Sequence, residues 1–241
     1  MAILLVILGV LLFDLMIIAH EFGHFSTARS FGIKVNEFAL GMGPKIFSIK
    51  KGETVYSLRL FPVGGFCAME GEDEESDDPS AFDKKAAWKK SIVVVAGAVM
   101  NIVLGFLMTI LLLVQSPKFA STTIFDFKSD AVSSSSGLME GDEIIKINGS
   151  RVYSYKDLAF DLTVDGKSDF NIEVKRGNDI LNLENVNFKT TVNEKGKSIT
   201  ELDFHLKSVD KNFISLITQS YLETISTIKI TWISIMGIIT G

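Results

Sequence analysis

From Met1 to Ala19 the chain carries a single ionisable side chain, Asp14, and the run leads directly into His20-Glu21-Phe22-Gly23-His24. An apolar stretch of roughly 20 residues with few charges is long enough to cross a bilayer as a helix. A helix sets His20 and His24 one turn apart on one face, the spacing of two zinc ligands, with Glu21 beside them as a general base. Ionisable groups are expensive at membrane depth, so gathering three of them there points to chemistry rather than packing. A signal peptide would show a basic leading segment and a small-x-small cleavage site; neither is evident, and cleavage near Ala19 would divide the helix that bears the motif. Residues 1–30 are therefore read as a retained transmembrane helix.

The remaining sequence alternates between soluble and membrane character. Of 241 residues, 47% are hydrophobic, and their clustering suits a membrane protein with an attached soluble part. The net charge of −5 is mixed along the chain, without the clustered positive charge of a nucleic-acid binder. A single cysteine, Cys67, excludes an intrachain disulfide framework and any cysteine-rich zinc site, so a metal would be held by histidine and carboxylate.

Residues 31–90 read as a small β-hairpin region with turns at Gly41–Pro44, Lys51-Gly52 and Gly64-Gly65, followed by an acidic, solvated loop from Glu70 to Asp83. A second transmembrane helix is expected over 91–116. Lys84, Lys85, Lys89 and Lys90 precede it, which sets the β region on the cytosolic side. Residues 120–211 read as a β-rich, extracytoplasmic domain with one or two helices and an Asn148-Gly149 hairpin turn. Residues 212–241 read as an amphipathic segment followed by the start of a third transmembrane helix. Asp14 lies about 10 Å along the helix from Glu21, too far to share a metal with His20 and His24. It is expected as a neutral, protonated side chain facing other helices, the alternative being a supporting or proton-relay role beside the metal site. His205 is expected to be a surface or half-buried histidine.

Ala19–Phe25, Asn36–Lys45 and Phe61–Phe66, in this order, resemble the bacterial site-2 protease family, and most closely its PDZ-containing regulators of sigma-factor signalling. The resemblance implies a multi-pass helical membrane protein of the cytoplasmic membrane, with a membrane-associated β element and an inserted PDZ-like domain, here 120–211. It implies an intramembrane zinc metalloendopeptidase that cleaves transmembrane substrates in regulated intramembrane proteolysis, such as membrane-bound anti-sigma factors. His20 and His24 would hold Zn2+ and Glu21 would act as the catalytic base. The β element would present an extended substrate by strand pairing, with Gly64 and Gly65 in that region. Gly97 and Asn101 resemble a Gly-Pro-x-x-Asn motif associated with substrate handling, with Ala98 in place of proline. The family's third zinc ligand is the aspartate of a Leu-Asp-Gly motif, which this sequence lacks; Leu202-Asp203-Phe204 falls in the soluble domain. The third ligand is therefore expected beyond Gly241. The alternative is an inactive or truncated homologue serving as a PDZ-bearing membrane scaffold.

Overall fold

The computed structural model describes residues 1–163, 166–192 and 198–240. The chain forms two compact units, Met1–Leu107 and Met108–Gly241. Gly241, at the edge of the expected third membrane helix, lies outside the described residues, as do 164–165 and 193–197 of the soluble region.

The first unit opens with α1 (Ala2–Ser30). Its 29 residues span about 43 Å at 1.5 Å per residue, more than the hydrocarbon core requires. Large apolar side chains from Ile3 to Met16 are exposed around the helix, as lipid contact demands. Gly32, at φ 65, then turns the chain where an L side chain would be strained.

β1 (Val35–Lys51) and β2 (Thr54–Met69) form one antiparallel pair. The hairpin is longer than the sequence suggests, because Gly41–Pro44 and Gly64-Gly65 lie inside strands instead of ending them. Each strand bends and folds back, so residues 37–40 pair twice: Ala39 faces both Phe66 and Ser57, and Leu40 faces both Gly65 and Leu58. Gly41, Gly43 and Gly64, at φ 82, 84 and 88, supply the bends.

Glu37 pins this double register. Its carboxylate accepts from Ser57 Oγ at 2.6 Å and from an Arg59 guanidinium nitrogen at 2.8 Å, and it pairs with Lys45 at 2.8 Å. Burial opposes its ionisation, but the bonds from Lys45, Ser57 and Arg59 outweigh that and hold the carboxyl at about 2, below its ordinary 4.5. A depressed folded-state value means stability that is complete above the unfolded value and lost as pH falls through the folded one. Glu37→Gln is thus expected to lower the thermal midpoint at pH 7. The gap to wild type should close between pH 4.5 and 2, read by circular dichroism of detergent-solubilised protein. A gap that does not depend on pH would contradict this assignment.

Phe25 of α1 packs on Phe38 and Tyr56, with ring centroids 5.0 and 5.9 Å away, which docks the hairpin on the motif helix. A small core of Ala28, Ile33, Val35, Cys67, Met69 and Val93 lies there too. The acidic segment is exposed over Glu72–Glu75 and at Asp77, as expected of a solvated loop, and is tied down at other points. Lys34 pairs with Asp78 at 2.9 Å, Asn36 and Ser76 donate to Glu70, and Ala81 is fully buried. α2 (Ala87–Leu113) starts earlier than expected, taking in Trp88, Lys89 and Lys90.

The second unit contains β3 (Lys118–Phe127), a 3-10 turn (Ser133–Ser136), β4 (Glu143–Ile147), β5 (Ser150–Arg151) and α3 (Tyr155–Thr163). It continues with β6 (Asp169–Arg176), β7 (Asp179–Asn187), β8 (Thr190–Val192), β9 (Ser198–Thr200), β10 (Phe204–Asp210) and α4 (Phe213–Thr240). The main sheet runs β10-β3-β4-β6-β7 with β5 on β4, while β8 and β9 pair separately. Asn148 and Gly149, at φ 49 and 81, make the tight β4–β5 turn, both residues left-handed as such a turn requires. Ile124, Leu138, Ile144, Leu158, Phe170 and Ile172 fill the core.

Asp142 and Asp203, both buried, brace this unit. Asp142 takes a two-pronged bond from Arg176 at 2.7 and 2.8 Å. Asp203 accepts from the Val132 and Ser133 amides and from Ser133 Oγ. His205 is exposed on β10, as expected.

The last segment is one continuous helix rather than an amphipathic piece followed by a span. α4 docks on α3 through Lys229, which pairs with Asp157 at 3.2 Å and Asp161 at 2.9 Å, and through Ser226, which donates to Asp157. α1, α2 and α4 are each long and apolar enough to cross a membrane.

Candidate functional site

The helical repeat of α1 brings His20 and His24 together. Their Nε2 atoms are 3.1 Å apart, with the rings edge to face. Two nitrogens bound at 2.0–2.1 Å in a tetrahedral shell lie about 3.3 Å apart, so this pair fits two corners of a zinc site. The opposite side of each ring is held by α2. His24 Nδ1–H donates to the Val93 carbonyl at 2.8 Å, which leaves Nε2 as the free lone pair.

His20 Nδ1 faces the Asn101 amide, whose Nδ2 lies 3.2 Å away, while Asn101 Oδ1 is buried without a partner. A neutral imidazole offering Nε2 to a cation carries its proton on Nδ1. Turning the Asn101 amide then lets Oδ1 accept that proton, and the orphaned oxygen gains its bond. Asn101 thus contacts the His20 ring, where the sequence pattern suggested substrate handling.

α2 comes this close because Gly97 has no side chain. A Cβ there would sit 2.6 Å from Nε2 of both histidines. Gly23, within the motif, is matched in the same way: a Cβ there would stand 2.4 Å from the Ala96 carbonyl oxygen. The two helices therefore cross on glycine at the imidazole pair.

β2 closes another side. A Cβ at Gly65 would sit 2.8 Å from the Ala39 carbonyl oxygen, so glycine is required against β1, and at an ordinary contact of 3.9 Å from Glu21 Cγ, so the strand passes beside the glutamate. Cys67 is buried two residues on. Burial first, then the negative charge of Glu21 and Glu72, push its thiol up to about 12, which makes it an inert neighbour rather than a nucleophile. Gly64 donates its N–H to Asp14 Oδ1 at 3.1 Å. Asp14 therefore faces a strand, not other helices as the sequence suggested, because the folded-back hairpin reaches up α1. Among the described residues, no group of three or more histidine, cysteine, aspartate or glutamate side chains converges on one point.

The profile of peptidase family M50 matches residues 7–241. The chain belongs to this family. It is 36% identical over 237 residues to a candidate zinc metalloprotease of Clostridium perfringens, covering 98% of this chain and 69% of that relative. A candidate zinc metalloprotease of Clostridium acetobutylicum is 31% identical over 237 residues, covering 98% and 68%. The regulator of sigma-W protease RasP of Bacillus subtilis is 24% identical over 318 residues, covering 98% and 75%. In this M50 chain, sequence reasoning missed the Val93 carbonyl, because a backbone acceptor leaves no residue-type signal. It also missed why Gly97 matters, since the clash that excludes a side chain there is with histidines more than 70 residues away in sequence.

Proposed function

We propose that this chain carries two of the ligands and the general base of an intramembrane zinc metalloendopeptidase that acts on transmembrane protein substrates. The observation that carries the reading is the imidazole pair: Nε2 atoms 3.1 Å apart, each ring held from behind, on a helix apolar enough to lie in a bilayer. Membership of family M50, and relatives named as zinc metalloproteases or as a sigma-W regulating protease, support it.

His20 and His24 would hold the zinc. Bound zinc supplies a Lewis acid and brings the pKa of a neighbouring water towards about 7. Glu21 takes the proton of the attacking water and returns it to the leaving amine. Val93 and Asn101 keep both imidazoles in the ligating tautomer. The outer edge of β2 seats an extended substrate segment by strand addition, with Gly64 and Gly65 on that edge. A catalytic zinc takes three protein ligands, so one ligand is needed in addition to His20 and His24.

In this reading α1, α2 and α4 include the spans of a multi-pass protein of the cytoplasmic membrane. The motif lies near the cytosolic face, and residues 120–211 form an extracytoplasmic PDZ-like domain. Membrane-bound anti-sigma factors are the substrate class that the sigma-W relative suggests.

The test is elemental analysis of the purified full-length protein together with cleavage of a transmembrane reporter. One zinc per chain, and cleavage lost on chelation and restored by zinc, is the expected result. Protein that binds peptide ends but neither zinc nor reporter would replace this reading with that of a membrane scaffold.

A further inference from the structure

Between residues 1 and 16 of α1, every position is exposed except Asp14, which is half-buried. The surrounding side chains, among them Leu12, Phe13, Leu15 and Met16, are apolar. The pattern reverses ordinary burial, in which the acid is exposed and the leucines are covered. The cover comes from β2, through the Gly64 N–H that donates to Asp14 Oδ1 at 3.1 Å. The register of β2 on β1 runs through Phe61 and resumes at Gly65, leaving Gly64 out of the ladder, and its φ of 88 turns the strand there. An amide left out of the ladder in apolar surroundings needs an acceptor, and Asp14 is that acceptor.

The next residue, Gly65, lies against Glu21, where a Cβ would stand 3.9 Å from Cγ. The sheet contains only β1 and β2, so among the described residues no strand covers the outer edge of 61–69. One clasp therefore joins the upper part of the motif helix to the open strand edge beside the general base. Asp14 is about 10 Å from Glu21 along the axis, so it acts through the strand and not on reacting atoms.

We propose that Asp14 is a positioning residue that clasps the Gly64–Phe66 edge of β2 at the level of Glu21, and so sets the register in which an extended substrate crosses the site. This rests on the protease reading above, and two readouts separate the failure of one from the failure of the other.

The experiment compares wild type, Asp14→Leu and Asp14→Asn in the detergent-solubilised full-length protein. Amide hydrogen exchange over residues 61–67 reads the clasp, and mass spectrometry of the products of a transmembrane peptide reads the register. Asp14→Leu should exchange about tenfold faster over 61–67, the loss of one hydrogen bond. It should keep its zinc, cut at neighbouring bonds as well as the wild-type one, and raise KM more than it lowers kcat. Asp14→Asn, whose Oδ1 accepts the same N–H, should restore both readouts.

Unchanged exchange in Asp14→Leu would overturn the clasp. Faster exchange with a single wild-type cleavage bond would overturn the positioning role. An Asp14→Asn variant that behaves like Asp14→Leu would overturn the acceptor assignment. If wild type cleaves nothing, the protease reading fails and the substrate half of the inference falls with it; the exchange comparison still decides the clasp.

Discussion

Glu21→Gln should leave zinc at wild-type stoichiometry while lowering cleavage of a transmembrane reporter by about 100- to 10,000-fold, the range for loss of a general base. The site makes this a clean substitution. Glutamine matches glutamate in size, so the close passage of Gly65, with its virtual Cβ 3.9 Å from Glu21 Cγ, is undisturbed. The imidazoles are held by Val93 and Asn101 and not by Glu21, so their orientation is independent of it. What disappears is the ability to take a proton from water and return it to the amine. Elemental analysis reports the metal and gel-shift of the reporter reports the chemistry. Cleavage at the wild-type rate would discard Glu21 as the base, and loss of zinc would make it a ligand instead.

The placement of these residues was legible in the sequence because it depends on local periodicity. His20, Glu21 and His24 sit on one helix, and a 3.6-residue repeat decides which of them share a face. The same holds for α3 and for the Asn148-Gly149 turn, whose geometry is carried by the two residues that make it. Long-range pairing was less legible. Gly41 and Gly64 read as turns because glycine permits positive φ, yet here that freedom bends strands that continue, and only the double pairing of residues 37–40 distinguishes the two cases. Asp14 in an apolar run suggested a partner on another helix. Its partner is a backbone amide fifty positions away, and an amide carries no residue signature. The continuous α4 is a similar case: the contact that docks it on α3 joins Lys229 to Asp157 and Asp161 across a long stretch of sequence.

Gly97→Ala should cost both zinc and activity, although alanine is the better helix former. In an exposed helix interior that exchange stabilises by up to about 1 kcal/mol. At Gly97 the new methyl would stand 2.6 Å from Nε2 of His20 and of His24, and 2.7 Å from His20 Cε1. Carbon and nitrogen at ordinary contact are about 3.5 Å apart, so α2 or the rings must give way by nearly an ångström. The rings have little room to move, since His24 is tethered to Val93 and His20 lies against Asn101 on the same helix. Withdrawal of α2 would stretch both contacts and release the ligating tautomers. A displacement of about 1 Å in a catalytic constellation is worth about 100-fold in rate, and cleavage should fall by at least that much, with zinc content falling in parallel. Gly105→Ala is the control on the same helix, because a Cβ there meets nothing within 4 Å. It should retain metal and activity and melt no lower than wild type. Should Gly97→Ala keep full zinc and full cleavage while Gly105→Ala does the same, the close crossing of α2 over the imidazole pair would have no part in holding the metal.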